Sequence, residues 1–346
     1  MLMTSRWATR TRKAYLAWLD LASHEFFHAW NVKRLRPLEL GPFDYEHENY
    51  TRSLWVVEGL TDYYGELALH RAGLSTADEC LDGLSNQIEA VQTTPGRLVQ
   101  SAGTASFEAW IRFYRPDENS PNVSISYYTK GAVLAFLLDA KLRQATGGAR
   151  SLDDVMRAAY RQYAGDHGYT PDQFRAVAEQ AAGTSLQAFW DSAVEGVGEL
   201  DYAEALGAFG LRFARAVPPN ADPAGADPTK ADVPPKAFLG LVTHTDNGRL
   251  LVTQVHRGTP AHDAGLNVDD EIVAIDDFRV PADQLTVRLE QYRPGDVVGV
   301  LVAKREQLQR IRVTLGVEPV KQWRLEVDPG AGEAQKKLRA AWLQPC

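Results

Sequence analysis

Two histidines four positions apart, His24 and His28, enclose Glu25 in the run His24-Glu25-Phe26-Phe27-His28. On a helix, residues four apart share a face, so the two imidazoles can grip one ion together. Glu25 lies beside them and can act on a water at that ion without being a ligand itself. An imidazole pair needs a further donor, and Glu58 supplies it in Trp55-Val56-Val57-Glu58-Gly59-Leu60-Thr61-Asp62-Tyr63-Tyr64. With Leu54, Val57, Leu60 and Thr61 on one side, this stretch also reads as a helix. A carboxylate on such an apolar helix is costly to bury unless it is paired or bound to a metal. Asp62 follows at i+4 and can accept a hydrogen bond from the free ring nitrogen of a ligand histidine, His24 first, which fixes the tautomer and raises its basicity. Two histidines and one glutamate leave a fourth position open on Zn2+, the pattern of a catalytic site and not a structural one. One Zn2+ per chain is therefore expected.

The elements that must hold these groups are mostly helices. The first spans about 12–33; it is apolar nearly all round and is expected to be buried. Residues 34–51 form a long polar connection, and a second helix covers about 52–70. Ser75 with Asp78, Ser151 with Asp154, and Thr184 with Gln187 have capping-box spacing, and Thr170-Pro171-Asp172-Gln173 combines a cap, a first-turn proline and a glutamine. A further helix starts near Ser126 and ends at Gly147-Gly148, while 93–123 is irregular, with Gly103, Pro116 and Pro121 as breakers. Residues 1–10 could be the remnant of a strand.

The expected organisation is a helical catalytic domain over 1–216, a Pro-rich linker over 217–236, a small β-rich domain over 237–318 and a C-terminal tail over 319–346. The linker holds six prolines in twenty residues and almost no large apolar side chain. Beyond it, 238–243, 249–256, 271–276, 297–303 and 308–315 read as strands, with one short helix at about 282–292; a helix of its own is expected at 331–343.

Composition narrows the function. The chain has 346 residues and a net charge of −8 without a basic block, which argues against nucleic acid as a partner. Cys80 and Cys346 make neither a disulfide framework nor a Cys-x-x-Cys metal site. No apolar run reaches transmembrane length. The basic N-terminus runs through Asp20 straight into the histidine motif, so it reads as a helix of the mature protein and not a signal peptide. The compartment is left open, with the cytoplasm favoured by the lack of a signal peptide in this chain.

These residues resemble a known family. The His-Glu-x-x-His run with downstream Glu58 and Asp62 is similar to the gluzincins, the thermolysin and aminopeptidase N class. The nearer resemblance is to the PDZ-containing glycyl-aminopeptidase-type zinc peptidases, carried by His24–Asn31, Leu54–Tyr64, Ser126–Arg143 and the β-rich C-terminal part. It implies release of small N-terminal residues, Gly or Ala, from peptide substrates. It also implies that Tyr128, in Tyr-Thr-Lys-Gly, is the phenol that donates to the oxyanion. Without the resemblance Tyr128 reads as a core tyrosine with its hydroxyl at the rim; Tyr127 points roughly 100° away on a helix and is the weaker candidate.

Relatives carry a β-rich domain before the zinc helix, including a Gly-Gly-x-Glu-His-type strand whose glutamate helps bind the substrate amine. This chain starts too late to contain it, which reads as a fragment, a shortened product or a truncated relative. Glu46, Glu48, Asp117 and Glu118 could supply the counter-charge, and nothing in the sequence selects one.

In the β-rich part, Phe238-Leu239-Gly240-Leu241 resembles the carboxylate-binding loop of a PDZ domain, with the helix bearing Leu285 and Leu289 as the far wall of the groove. That implies peptide C-termini as a second class of partner. His47, His70, His167, His244, His256 and His262 lack ligand spacing and read as surface or turn residues. The fold class is thus multidomain, a mainly α gluzincin catalytic domain followed by a PDZ-like domain. The expected function is that of a zinc aminopeptidase. The alternative is a non-catalytic PDZ adaptor on a peptidase remnant.

Overall fold

The computed structural model describes residue 7 and residues 9–214, 235–282, 284–319 and 322–344. Among these, one unit comprises the residues up to 115 with 124–214 and 322–344, and a second comprises 116–123 with 235–319. Nearly all of the linker expected at 217–236, and the strand remnant expected at the extreme N-terminus, lie outside the described residues.

The helical unit is built around Tyr127–Ala145, whose side chains are buried almost without interruption from Lys130 to Ala140. Ser126 starts it, its hydroxyl accepting from the N–H of Thr129. This helix packs against Leu60–Arg71, Ala77–Thr93 and the wide turn Trp55–Gly59. The last of these contacts is backbone to backbone. A Cβ on Gly59 would lie 2.4 Å from Cα of Gly131, and a Cβ on Gly131 would lie 2.6 Å from the carbonyl oxygen of Trp55. Only glycine at both positions allows the two segments to come this close. The approach sets Glu58, one residue before Gly59, against the helix that starts at Tyr127.

The helix carrying His24 differs from the expectation. It runs over Arg12–Phe27 and not to 33, and His24 is its one buried residue. Its outward face leaves Tyr15, Leu21 and Phe26 exposed. It stops because the chain turns to bury the Asn31 side chain, whose amide donates to the carbonyls of Val56 and Val57 and to the Thr61 hydroxyl. These bonds pair the buried side-chain N–H groups of Asn31, which would be expensive to leave without acceptors.

Other starts follow the sequence with small shifts. Thr170 and Gln173 form the expected box, with Pro171 at the first position. Asp154 accepts from the Ser151 N–H. The box expected at Ser75 and Asp78 sits one residue later, at Thr76 and Glu79. Thr184 does not cap: Gly183 closes the preceding helix in the left-handed conformation, and the next starts after Leu186. The stretch 93–123 contains short helical turns, among them Ala102–Phe107, capped by Ser101, and the π-turn Ala109–Phe113.

The segment read as a C-terminal tail is part of the helical unit. Leu325–Val327 pairs antiparallel with Leu211–Phe213, and Glu333–Leu343 is a helix. Trp342, 1% exposed, stacks on Phe209 with ring centroids 4.5 Å apart, and its indole N–H donates to the Tyr63 hydroxyl at 2.7 Å. Tyr63 in turn donates to Asp139, which also takes Nε of Arg143 and the N–H of Leu152. One tryptophan, at a distance in sequence that periodicity cannot read, thereby holds the end of the chain. Trp342→Ala is expected to destabilise the helical unit by about 3–5 kcal/mol, the usual cost of deleting a buried aromatic ring. A denaturation midpoint in the variant equal to that of the parent would disprove this anchoring.

The second unit is an antiparallel sheet in the order Leu241–Asp246, Arg249–Val255, Glu271–Ile275, Val297–Lys304 and Gln307–Thr314, with Phe278–Arg279 on Glu271–Ile275. Ala237–Phe238 pairs with Gly316–Val317. The five strands expected are present within a few residues. The short helix is confined to Leu285–Leu289, and a second, Pro260–Ala264, was not expected. In the expected carboxylate loop, Gly240 has φ +80°, and the Leu239 side chain is buried in the core of this unit. The loop is fastened by the Ala261 N–H on the Leu239 carbonyl and by the Thr259 hydroxyl on the Gly240 carbonyl. Asn122 belongs to this unit through paired bonds, its amide to the Val255 carbonyl and its carbonyl from the Arg257 N–H.

Candidate metal centre

His24, His28 and Glu58 converge. Nε2 of His24 lies 3.3 Å from Oε2 of Glu58, and Nε2 of His28 lies 3.2 Å from the same oxygen. Tetrahedral coordination with bonds of about 2.0–2.1 Å puts neighbouring ligand atoms roughly 3.3 Å apart. The observed spacing is therefore that of donors around one small ion, and the donor set, two imidazoles and a carboxylate, suits a borderline metal.

Why both rings present Nε2 is a matter of what holds Nδ1. In His24, Nδ1 lies 2.7 Å from Oδ1 of Asp62. In His28, Nδ1 lies 2.8 Å from the Asn31 carbonyl. Each acceptor holds the Nδ1 proton and so turns Nε2 to the shared point, the atom a metal would use once it displaces any proton there. Asp62 was singled out in the sequence as such a partner. Asn31 was not, although it ends the motif-bearing run; a side-chain amide among apolar residues was the available signal. Asn31 serves twice, since its carbonyl orients His28 and its side chain ties this loop to the turn carrying Glu58.

The electrostatics follow from this crowding. Burial disfavours charge on His24, yet hydrogen bonds to Asp62 and Glu58 outweigh it and hold its pKa up at about 10. Burial would raise Glu58, and the two histidines reverse the direction and bring it down to about 2. Glu58 is thus ionised and ready to serve as an anionic ligand. Behind the site, burial and the charge of Asp62 raise Asp20 to about 6, and burial with Asp20 and Asp62 raises Glu66 to about 8. Both shifts favour the neutral carboxylic acid, so the negative charge near His24 is concentrated on Glu58 and not on the groups buried behind it.

Glu25 is exposed on the same helix, outside the converging trio. Tyr128 is half-buried, with its ring 6.2 Å from that of His24 and nearly parallel to it. Burial and then the charge of Glu58 hold its phenol protonated well above the ordinary range. Tyr127, in contrast, is 1% exposed; its ring stacks on that of Tyr128 with centroids 4.8 Å apart, and its hydroxyl meets that of Tyr114 at 3.5 Å. His24, His28, Glu58, Asp62 and Tyr128 therefore gather at one place. Phe238, Leu239, Gly240 and Leu241 belong to the other unit. Sequence reasoning missed Phe113, which stacks on Tyr128 with centroids 5.6 Å apart.

Asp62→Asn is expected to weaken metal affinity by roughly ten- to a hundredfold, because the amide cannot hold Nδ1–H of His24 with the same charge. A competition titration against a chromogenic chelator reads this. Affinity equal to the parent's would mean that the 2.7 Å contact does nothing for the metal.

No helix among the described residues is long and apolar enough to cross a membrane. Residues 17–134 match the family model of the M61 glycyl aminopeptidases. The segment contains His24, Glu25, His28, Glu58, Asp62 and Tyr128. In structure, the chain is similar to an aminopeptidase N family protein from Idiomarina loihiensis, at 30% identity and a TM-score of 0.82 over 100% of this chain and 56% of that one. The chain thus spans 56% of the length of that relative. Partial similarity extends to an HtrA-type protease with a decapeptide, at 20% identity and a TM-score of 0.24 over 25% of this chain and 30% of that one. A serine endoprotease from Yersinia pestis is similar at 22% identity and a TM-score of 0.22 over the same shares. None of the curated protein sequences matches the chain.

Proposed function

We propose that this chain, whose residues 17–134 match the M61 glycyl aminopeptidase family, is a zinc-dependent peptidase of the gluzincin type that releases small N-terminal residues, Gly or Ala, from peptides. The observation that carries the reading is the meeting of His24 Nε2 and His28 Nε2 on one Glu58 oxygen, at ligand-to-ligand spacing. His24, His28 and Glu58 would hold the zinc. When bound there, zinc supplies Lewis-acid polarisation of the scissile carbonyl.

The rest of the chemistry belongs to the side chains. Glu25, exposed beside His24, takes a proton from the attacking water and hands it to the leaving amine. Tyr128, kept protonated, donates to the oxygen that becomes negative as the carbonyl carbon turns tetrahedral. Asp62 and Asn31 keep the two imidazoles in the tautomer that this requires.

The sheet unit is read as a PDZ-like module that receives peptide C-termini at Phe238-Leu239-Gly240-Leu241. In support, Leu241–Asp246 is an edge strand, and Leu285 and Leu289 lie on a short helix packed on the same core. An edge strand can pair with an added extended peptide.

Turnover of a Gly- or Ala-capped chromogenic substrate, abolished by a chelator and restored by zinc, tests the enzymatic reading. A zinc-loaded chain without turnover would leave the adaptor alternative in its place.

A further inference from the structure

Beside the candidate metal centre lies a surface that the chemistry above does not use. Trp110, Ile111 and Tyr114 are each more than half exposed, within five residues of one another on and just after the π-turn Ala109–Phe113. In water this arrangement is unfavourable, and large apolar side chains left together in contact with solvent commonly mark a surface that meets something. A π-turn within a helical stretch is itself uncommon and recurs at functional sites.

The rings form a continuous path to the metal ligands. Trp110 and Tyr114 have centroids 5.7 Å apart, and Tyr114 meets Phe113 edge-on at 5.3 Å. Phe113 stacks on Tyr128 at 5.6 Å, and Tyr128 stacks on His24 at 6.2 Å. The path is held from below. Phe113 also packs on the buried Tyr127, the Tyr114 hydroxyl meets that of Tyr127, and the Tyr114 N–H donates to the Ala109 carbonyl. Arg112 is turned aside by its ion pair with Glu108 at 2.8 Å.

We propose that Trp110, Phe113 and Tyr114 form a subsite for an aromatic or large aliphatic substrate side chain within two residues of the scissile bond. The inference rests on the peptidase reading and makes it more specific. An extended peptide advances about 3.3 Å per residue, so Phe113, one ring step of 5.6 Å beyond Tyr128, is reached about two residues from the reacting carbonyl, and Trp110, two steps further along the path, forms the outer edge of the same surface. Aromatic and aliphatic side chains gain by covering exposed rings, with offset or edge-on contacts preferred. The small released residue occupies a different position, so the two preferences coexist.

The test uses the zinc-loaded full chain and a peptide series beginning with Gly or Ala, in which Phe, Leu or Ala stands at the second or third position. At one of these positions Phe or Leu is expected to raise kcat/KM about tenfold over Ala, the size of a modest difference in apolar contact. Trp110→Ala should collapse that ratio through KM, while Ile111→Ser, off the ring path, should preserve it. Binding of the same peptides to the zinc-loaded Glu25→Gln chain is measured by calorimetry in parallel. Equal affinity for Phe, Leu and Ala peptides, or a ratio that survives Trp110→Ala, overturns the subsite. Discrimination in binding together with no turnover by the parent would instead overturn the peptidase reading.

Discussion

Glu25→Gln will leave the metal centre loaded and stop turnover, whereas Glu58→Ala or His24→Ala will strip the metal. The two outcomes separate because the residues stand differently. Glu58 and the two histidines share one point, with ligand atoms 3.2 and 3.3 Å apart. Removing any one leaves two donors, and the fixed geometry that made the site selective is lost. Glu25 is exposed and outside that trio. Glutamine keeps its size and polarity and loses only the ability to take a proton, so the loss falls on the proton transfer, on the order of a hundred- to ten-thousandfold. Zinc stoichiometry by elemental analysis and turnover of the chromogenic substrate are read on the same preparations. Stoichiometric zinc in Glu58→Ala would refute the ligand set, and near-normal turnover by Glu25→Gln would remove Glu25 from the chemistry.

Tyr128→Phe is expected to lower turnover by roughly a hundred- to a thousandfold, with a far smaller change in the Michaelis constant. A donor aimed at the oxyanion acts where charge develops, so its loss appears in the rate and hardly in ground-state binding. The substitution keeps the ring that stacks between His24 and Phe113, so the fold should be little affected. Tyr127→Phe is the control. Tyr127 is buried behind Tyr128, its hydroxyl meeting that of Tyr114, and the loss of that hydroxyl should be mild. A crippled Tyr127→Phe beside a healthy Tyr128→Phe would move the oxyanion donor one residue along. If both variants, zinc-loaded, turn over normally, the donor is a different group.

The sequence by itself determined the local chemistry and the local structure. Four-residue spacing put His24 and His28 on one helical face, whatever the rest of the chain did. Side-chain caps such as Ser126 and Thr170 marked helix starts because they satisfy N–H groups two or three residues away. The period of the sheet unit and its Gly- and Asp-rich turns are equally local.

Tertiary structure decided whatever depended on residues far apart. That the helix of His24 ends at Phe27 follows from Asn31 finding carbonyls at Val56 and Val57. That Tyr128, and not Tyr127, faces His24 follows from the close contact of Gly59 with Gly131. The final residues join the helical unit because Trp342 finds Tyr63 and Phe209. None of these has a periodic signature: each is a single contact between surfaces that meet only once the chain has folded. Burial and the pairing of polar groups then select among arrangements that local spacing leaves equal.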